Sequence, residues 1–324
     1  MSTASERTPI RKRGLQMIPW SNHDEWLNIR RGYIGGSDAG AIAGLNPYAS
    51  AFSVWAEKTG QLPEFEGNTA TRVGTELEAL VARLFMEETG KKVQRLNFTL
   101  VNPAYPFACA NIDREVLDED AVLEIKTTSS PVNLKKFRGG EYPEQWYCQC
   151  VHYMAVTGAK KCYLAVLVMC LDLLIFEIER DEDEIKALMD AERDFWENYV
   201  VPKKTPPVDG HSATSEAIKQ MFDTDTGDSA DLTDFTVELQ KRKAINEHIK
   251  ALKTDLDALD NRVKAYMGDR SFGVCGTFSV SWKLQNTAGL DREKIKADYP
   301  GIDFSKYVTK ARVFRVTEKK QKSA

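Results

Sequence analysis

The spacing of apolar residues over the first two hundred positions predicts a series of helices interrupted by strands. Between positions 69 and 89 apolar residues recur every three or four positions, the period of an amphipathic helix, and Gly90 follows as a C-cap. Asn22 and Glu25 have the spacing of a capping box at the start of an earlier helix. Together these signals predict short helices over 22–31, 37–44 and 51–59 ahead of the long one.

Strand-like runs follow, with alternating or β-branched apolar residues. Three of them, 92–101, 107–116 and 121–127, are expected to form a meander. Pro143 then opens a helix that extends to Gly158. Two further strands over 161–169 and 171–179 precede a helix over 181–199. The order predicts an α/β (α+β) fold with a central mixed sheet flanked by helices.

The amino-acid composition changes between positions 201 and 230, which are rich in Pro, Ser, Asp and Gly and have little apolar periodicity. We therefore predict an N-terminal tail over 1–20, a first domain over 21–209, a linker over 210–230 and an accessory domain over 231–324.

The accessory domain begins with a heptad-like pattern that predicts one long, coiled-coil-like helix ending at Gly268. The positions that alternate spacings of four and three are Ile245, Ile249, Leu252, Leu256, Leu259, Val263 and Tyr266. Residues 272–283 alternate like a β-strand or a hairpin, and residues 310–317 have the pattern of a further strand. This extension is expected to pack on itself or on another subunit, with DNA contact by its basic end as the alternative.

Composition narrows the class of protein without revealing its chemistry. Of 324 residues, 42% are hydrophobic and 28% charged, with 20 Gly and 12 Pro, which excludes collagen-like and broadly disordered proteins. The longest apolar run, 162–176, contains Asp172 and is too short to cross a bilayer. The first residues lack the apolar core of a secretory signal, and six cysteines show no disulfide framework spacing. A cytoplasmic, reducing location is the expectation.

The overall charge does not indicate a nucleic-acid-binding protein, because the chain has 44 basic and 48 acidic residues and a net charge of −4. Any contact with nucleic acid would use local basic clusters, at 7–13, at Lys135, Lys136 and Arg138, or at 310–322. Solvated surface is the plain alternative for each cluster.

The most informative constellation is NIDREVLDEDAVLEIKT, which contains Asp113, Glu124 and Lys126. A turn through 118–120 would bring both carboxylates to one end of a sheet, and Glu124 and Lys126, two apart on a strand, share a face. Carboxylates, with the main-chain carbonyl of Ile125, are ligands for Mg²⁺, and a metal-dependent phosphodiesterase needs such a set beside a lysine. An exposed face with a cross-strand ion pair is the alternative, although the apolar neighbours Leu123 and Ile125 favour a strand inside the sheet.

Two helices offer further polar groups. Glu78 lies beside the apolar stripe of the helix over 69–89, either facing the sheet or exposed. Gln149 shares a helix face with Gln145, His152 and Tyr153. Cys148 and Cys150 lie about 200° apart on that helix, which argues against a zinc site.

Several blocks occur in one order: RRGYIGGSDAGAIAGLNPYAS, VGTELEALVARLFMEETG, ACANIDREV, LEIKT and LKKFRGGEYPEQWYCQCVHYMAVTG. In these blocks residues 25–202 resemble the phage lambda exonuclease type, specifically the YqaJ-like viral recombinases of the PD-(D/E)xK nuclease superfamily. The resemblance implies a PD-(D/E)xK core and a 5′→3′ exonuclease on double-stranded DNA ends that releases 5′-mononucleotides with two Mg²⁺ or Mn²⁺ ions. It also implies a single-strand annealing partner and a ring of three subunits.

Residue by residue, the resemblance makes Asp113 and Glu124 metal ligands, with Glu78 near the metals. Lys126 becomes the lysine that orients water, and Gln149 the glutamine at the active site. Arg30 and Ser37 match the pair that holds the terminal 5′-phosphate. Ser37 would also open a helix after Gly35 and Gly36, where free amides favour an anion, although a simple N-cap beside a surface arginine fits the same residues. In this chain Arg114 replaces the small turn residue that usually follows the first acid.

Two other functions fit the same residues. A restriction or structure-specific endonuclease could use the same core, and it would nick closed circular DNA. A non-catalytic recombination scaffold would bind DNA without releasing nucleotides. An iron–sulfur nuclease is disfavoured because the cysteines lack a four-ligand pattern.

Overall fold

The computed structural model describes residues 8–63, 67–130, 134–284, 292–303 and 316, and the chain divides into two units, 1–223 and 224–324. The division falls inside the stretch predicted as a linker. That stretch is not wholly irregular, however, because Ser212–Met221 forms a helix with Thr214 and Ala217 buried. The Thr214 hydroxyl lies 2.7 Å from Ser50 Oγ, so this part of the predicted linker is packed onto the first unit.

The helices of the first unit agree closely with the apolar periodicity. The longest begins at Asn68, whose side chain accepts the Thr71 N–H, and ends at Gly90 with φ of 70°. Only one of the two hydrogen bonds of the predicted capping box at Asn22 forms. The Asn22 side chain accepts the Glu25 N–H, but the Glu25 carboxylate accepts hydrogen bonds from Ser21 instead of from the Asn22 N–H. These helices are α1 (His23–Arg31), α2 (Gly36–Ile42), α3 (Ala51–Lys58), α4 (Thr69–Thr89), α5 (Leu134–Arg138), α6 (Glu144–Thr157), α7 (Glu182–Phe195) and α8 (Ser212–Met221).

The strands of the first unit form two sheets. They are β1 (Gln16–Pro19), β2 (Ile34–Gly35), β3 (Val93–Gln94), β4 (Phe98–Val101), β5 (Ala108–Ala110), β6 (Arg114–Val116), β7 (Ala121–Thr128), β8 (Lys161–Val168) and β9 (Asp172–Glu179). The larger sheet has the order β3-β6-β7-β8-β9, in which only β7 and β8 are parallel, and the smaller has the order β1-β4-β5-β2. Mixed sheets flanked by helices confirm the predicted α/β (α+β) class.

The predicted three-stranded meander is wrong. The run over 107–116 is two strands in different sheets, because β5 pairs with β4 while β6 pairs with β7. The chain leaves one sheet after Ala110 and enters the other at Arg114. Asp113 therefore lies at the junction between the two sheets, outside both β5 and β6.

Helices cover the larger sheet on both faces. On one face Val81 and Phe85 of α4 pack with Leu123 and Tyr163. On the other, α6 packs with the alternate positions of β7 and β8, including Val122. Because side chains alternate along a strand, Glu124 and Lys126 point to the face that α6 covers.

Two glycines let α2 lie directly against α6. A Cβ at Gly36 would come within 2.6 Å of the Tyr153 ring, and one at Gly40 within 2.9 Å of Gln145 Cα. Because the second obstacle is main chain, it cannot move aside as a side chain tip can. Glycine at these positions therefore sets how closely α2 approaches the polar face of α6.

The second unit contains α9 (Thr236–Met267), a hairpin of β10 (Phe272–Cys275) and β11 (Phe278–Ser281), and α10 (Arg292–Asp298). The predicted long helix and hairpin are both present, and Gly268 follows the end of α9 as expected. The strand predicted over 310–317 lies outside the described residues, apart from residue 316.

Candidate active site

The β6–β7 pairing brings the two predicted carboxylates and the lysine together. Arg114 is opposite Leu123, which sets Asp113 beside Glu124, and Asp113 Oδ2 accepts the Ile125 N–H at 2.7 Å. Lys126 Nζ lies 2.7 Å from Glu124 Oε1. The shared face expected from the two-residue spacing of Glu124 and Lys126 is thus present.

Burial sets the electrostatics of this cluster. It raises the pKa of the Asp113 carboxyl well above its usual range, and the nearby Glu124 and Glu78 carboxylates raise it further. Burial also raises the pKa of Glu124, with Lys126 offsetting part of the effect. For Lys126, burial opposes the charge, but Glu124 and Asp113 outweigh it and its pKa is raised. The excess of buried negative charge favours binding of a cation.

A chain of hydrogen bonds fixes the lysine. Lys126 Nζ donates to Gln149 Oε1 at 2.8 Å, Gln149 Nε2 donates to the Tyr153 hydroxyl at 3.0 Å, and that hydroxyl donates to the Asn111 carbonyl at 3.0 Å. Gln149 therefore lies in direct contact with Lys126. The spacing of Gln149 and Tyr153 on α6 signals their contact, whereas no local pattern points to Asn111.

The oxygen donors fit a hard divalent cation. Glu124 Oε2 is buried and has no hydrogen-bond partner among the described atoms, although buried carboxylate oxygens are ordinarily satisfied. Asp113, Glu124 and Ile125 line a cleft of about 440 Å³ together with Lys126. Across the described ranges no three acidic, histidine or cysteine side chains converge on one point, so an ion here would also use main-chain and water oxygens.

Glu78 lines the same cleft but is already paired. Its Oε1 accepts a hydrogen bond from the Arg114 guanidinium, which also donates to the Asp113 carbonyl. The side chain of Arg114 is only 9% exposed. Arg114, the residue that differs from the small turn residue expected after the first acid, therefore places a cation against the Glu78 carboxylate and the main-chain carbonyl of Asp113. Sequence reasoning noted Arg114 but missed this ion pair.

Arg30 and Ser37 meet at the other end of the cleft, where Arg30 Nη2 donates to Ser37 Oγ at 2.5 Å. Arg30 also lies 3.3 Å from the carboxylate of Asp38, a buried residue that sequence reasoning missed. Lys58 is closer to Asp38 than Arg30 is, because Lys58 Nζ lies 2.7 Å from the Asp38 carboxylate. The Lys58 side chain is fully buried, and its Nζ also donates to the main-chain carbonyl of Arg30. Burial opposes the charge of Asp38, but Lys58 and Arg30 hold its pKa far below the usual range.

The helix predicted to open at Ser37 begins one residue earlier, at Gly36. The Gly35 N–H is occupied by Asp38 Oδ2 at 2.9 Å, because the first acid inside the helix folds back onto the preceding amide. An anion at this end would therefore be held by the Arg30 guanidinium and the Ser37 hydroxyl, since a carboxylate already uses one of the amides.

The basic cluster Lys135, Lys136 and Arg138 lies on α5 and does not line the cleft. Arg138 pairs with Asp172 at 3.0 Å. A second cleft of about 930 Å³ adjoins the first and shares Arg30 with it. Arg31 and Arg72 line it, as do Glu57 and Glu76. No local signal in the sequence points to this cleft, because its residues come from several helices.

Within the described ranges, no helix combines the length and apolar character needed to cross a bilayer. The family model of the YqaJ-like viral recombinase domain matches residues 25–160. The chain is 38% identical over 286 residues to the uncharacterized protein YqaJ of Bacillus subtilis (strain 168), covering 87% of this chain and 89% of that protein.

Among solved structures, the chain is similar to the alkaline exonuclease LHK-Exo from Laribacter hongkongensis. The identity is 23% with a TM-score of 0.47, over 56% of this chain and 96% of that one. It is also similar to LHK-Exo in complex with dAMP, at 22% identity and a TM-score of 0.49, over 56% of this chain and 94% of that one.

Proposed function

Because the chain belongs to the YqaJ-like viral recombinase family, we propose that it is a metal-dependent nuclease that degrades double-stranded DNA from its ends in the 5′→3′ direction. The observation that carries the proposal is the cleft in which Asp113 and Glu124 lie beside Lys126, with one buried Glu124 oxygen left without a hydrogen-bond partner. Two buried carboxyl groups, one with an oxygen that no described group donates to, are the kind of donor set that a divalent cation takes in proteins.

Asp113, Glu124 and the Ile125 carbonyl would hold the divalent ion, Mg²⁺ or Mn²⁺. When bound, the ion lowers the pKa of a coordinated water and stabilises charge that develops on the phosphoryl oxygens. Lys126 orients that water and adds positive charge next to the scissile phosphate. Gln149 keeps Lys126 directed into the cleft, because its amide oxygen accepts the ammonium at 2.8 Å.

Direction follows from the second end of the cleft. We propose that Arg30 and Ser37 bind the terminal 5′-phosphate, so that the next phosphodiester along the same strand reaches Lys126. The buried charges at this end are Arg30, Lys58 and Asp38, two cations and one anion. The net positive charge that remains is suited to a phosphate, and the products would be 5′-mononucleotides and a 3′ single strand.

A second ion would recruit Glu78, which must then give up its ion pair with Arg114. The duplex would approach along the adjoining cleft, where Arg31 and Arg72 could contact its phosphates. The basic cluster Lys135, Lys136 and Arg138 is proposed only as a peripheral DNA contact, since it lies away from the cleft. A ring of three subunits and a single-strand annealing partner complete the proposal, and a cytoplasmic location fits that role.

The test is digestion of linear duplexes labelled at the 5′ or the 3′ end, with Mg²⁺ or with EDTA. Wild-type protein should release labelled mononucleotide first from the 5′ label, and only with metal. Glu124→Gln and Lys126→Met should each lower the rate at least a hundredfold. Glu88→Gln, at an exposed glutamate on α4, is the matched control and should leave the rate unchanged.

Undiminished digestion by Glu124→Gln and Lys126→Met would disprove the proposed site. Closed circular DNA separates the competing functions: nicking of the circle would indicate an endonuclease, whereas an end-dependent exonuclease leaves it intact. DNA binding without metal-dependent nucleotide release would indicate a non-catalytic recombination scaffold.

A further inference from the structure

The long helix of the second unit presents an apolar stripe to solvent. Within the described part of the chain, each residue of this stripe keeps between 44% and 85% of its surface exposed. A helix of 32 residues with seven such positions in a row exceeds the scattered apolar residues found on ordinary protein surfaces. We call this set the α9 seam: Ile245, Ile249, Leu252, Leu256, Leu259, Val263 and Tyr266.

The spacing of the α9 seam is that of a coiled coil. The steps alternate four, three, four, three, four and three, which places Ile249, Leu256 and Val263 at the a positions of a heptad and the others at d. A stripe this narrow is covered by one or a few helices, because the core face of a globular helix is wider.

Charges beside the seam indicate which helix covers it. Asp255 and Arg262 precede a positions, and Lys253 and Asp260 follow d positions. In a parallel pair of identical helices, Asp255 would face the second copy's Asp260, so that like charges meet.

An antiparallel pair gives the opposite result. With Leu256 packed against the second copy's Leu259, Asp255 faces Arg262 and Lys253 faces Asp260, and the two-fold axis repeats both ion pairs. Asp260 lies 3.7 Å from Lys264 within its own helix, a loose contact that leaves it able to bind a second lysine.

We propose that two copies of this chain associate through the α9 seam as an antiparallel two-stranded coiled coil. The association does not depend on the proposed nuclease activity. It joins two chains through α9 of the second unit, whereas the residues that line the cleft belong to the first unit.

Asp255→Lys is the discriminating variant, tested in the full chain by sedimentation equilibrium. In the antiparallel pair it sets two cations against each other at both symmetry-related sites, so self-association should weaken about tenfold, and adding Arg262→Asp should restore it. In a parallel pair the same substitution would join opposite charges and tighten the association. Tightening would therefore overturn the proposal.

Leu256→Glu should abolish this association, whereas Lys250→Glu, outside the seam, should not. Helix content measured by circular dichroism shows whether α9 persists in each variant. If Leu256→Glu leaves the mass measured by sedimentation equilibrium unchanged, two copies do not associate through the α9 seam and the proposal fails. Another part of the same chain or a different protein would then cover the seam.

Disulfide trapping gives the direction independently. The background replaces Cys170 and Cys275, the exposed cysteines among the described residues, with serine. A chain carrying both Leu256→Cys and Leu259→Cys should form linked dimers on mild oxidation, because the two positions face each other across the axis. Efficient linking by Leu256→Cys alone would instead indicate a parallel pair and overturn the proposal.

Discussion

Lys58→Met removes a buried cation that has no contact with the proposed metal site but controls the charge of the proposed phosphate site. Lys58 Nζ is 2.7 Å from Asp38 and fully buried, and Arg30 is 3.3 Å from the same carboxylate. Without Lys58, Arg30 becomes the only cation paired with Asp38. The net charge of the three groups then falls from +1 to zero, and Arg30 is drawn away from an incoming anion.

The size of the effect follows from the geometry. At an effective dielectric constant of about 20, two charges 2.7 Å apart attract by ~6 kcal/mol. Much of this offsets desolvation, and removing one partner of a buried pair costs about 3–5 kcal/mol. We expect the lower value for Lys58→Met, since Arg30 continues to neutralise Asp38. The double variant Lys58→Met, Asp38→Asn should regain at least about 2 kcal/mol. It removes the buried carboxylate that has lost its closest cation, and the charge that remains is on Arg30, whose side chain is 25% exposed.

Two measurements check this cycle. Urea unfolding followed by tryptophan fluorescence reports mainly on residues 1–223, which contain five of the six tryptophans. Initial rates of digestion of duplexes that carry a 5′-phosphate or a 5′-hydroxyl measure the preference of the protein for a phosphorylated end. We expect the preference for phosphate to fall about tenfold in Lys58→Met, ~1.4 kcal/mol, and to return in the double variant, whose net charge is again +1.

The reasoning is refuted if Lys58→Met changes the free energy of unfolding by less than about 1 kcal/mol with no coupling to Asp38→Asn. A second outcome is that the free energy of unfolding falls as expected while the preference for a 5′-phosphate stays unchanged in Lys58→Met, Asp38→Asn and the double variant. In that case the buried pair has only a structural role.

Three further predictions test other parts of the structure. Arg114→Gln frees Glu78 and removes a cation beside the carboxylates, so calorimetry should show Mn²⁺ binding about tenfold tighter; unchanged affinity would contradict the ion pair's role. Glu192 outweighs the effect of burial and raises the pKa of His152 above 6.5. The stability from this pair is present below pH 6.5 and lost as pH rises through the folded pKa, about 1.4 kcal/mol per pKa unit. Urea midpoints at pH 6 and 9 should therefore differ more in wild type than in the double variant His152→Gln, Glu192→Gln, in which neither partner titrates; an equal difference would contradict the role of the pair. Gly40→Val should cost about 1–3 kcal/mol in urea unfolding because α6 main chain blocks its side chain, whereas Gly210→Ala, in open space, should cost little; equal costs would contradict the close packing.

Much of the local structure was predictable because its signals act over a few residues. The start and end of α4 follow from apolar periodicity and from Gly90, whose positive φ closes the helix. Glu124 and Lys126 share a face because strands alternate with period two. The same local rule failed for 107–116, since alternation describes a strand but not which sheet it joins, and the break before Arg114 is set by pairing partners elsewhere in the chain.

The order of residues along the chain establishes which chemistry the protein can carry: two carboxylates and a lysine on adjacent strand segments, an arginine and a serine seven residues apart, and a heptad stripe. How the charges of these groups are balanced depends on the packing of distant elements. The Lys58–Asp38 and Arg114–Glu78 pairs join residues 20 and 36 positions apart on different elements. Such pairs have no local periodic signal in the sequence, because the distance between the two side chains depends on how their elements pack. In a buried site the energy of a charge pair depends strongly on that distance, and so the packing sets which charges remain available to a ligand.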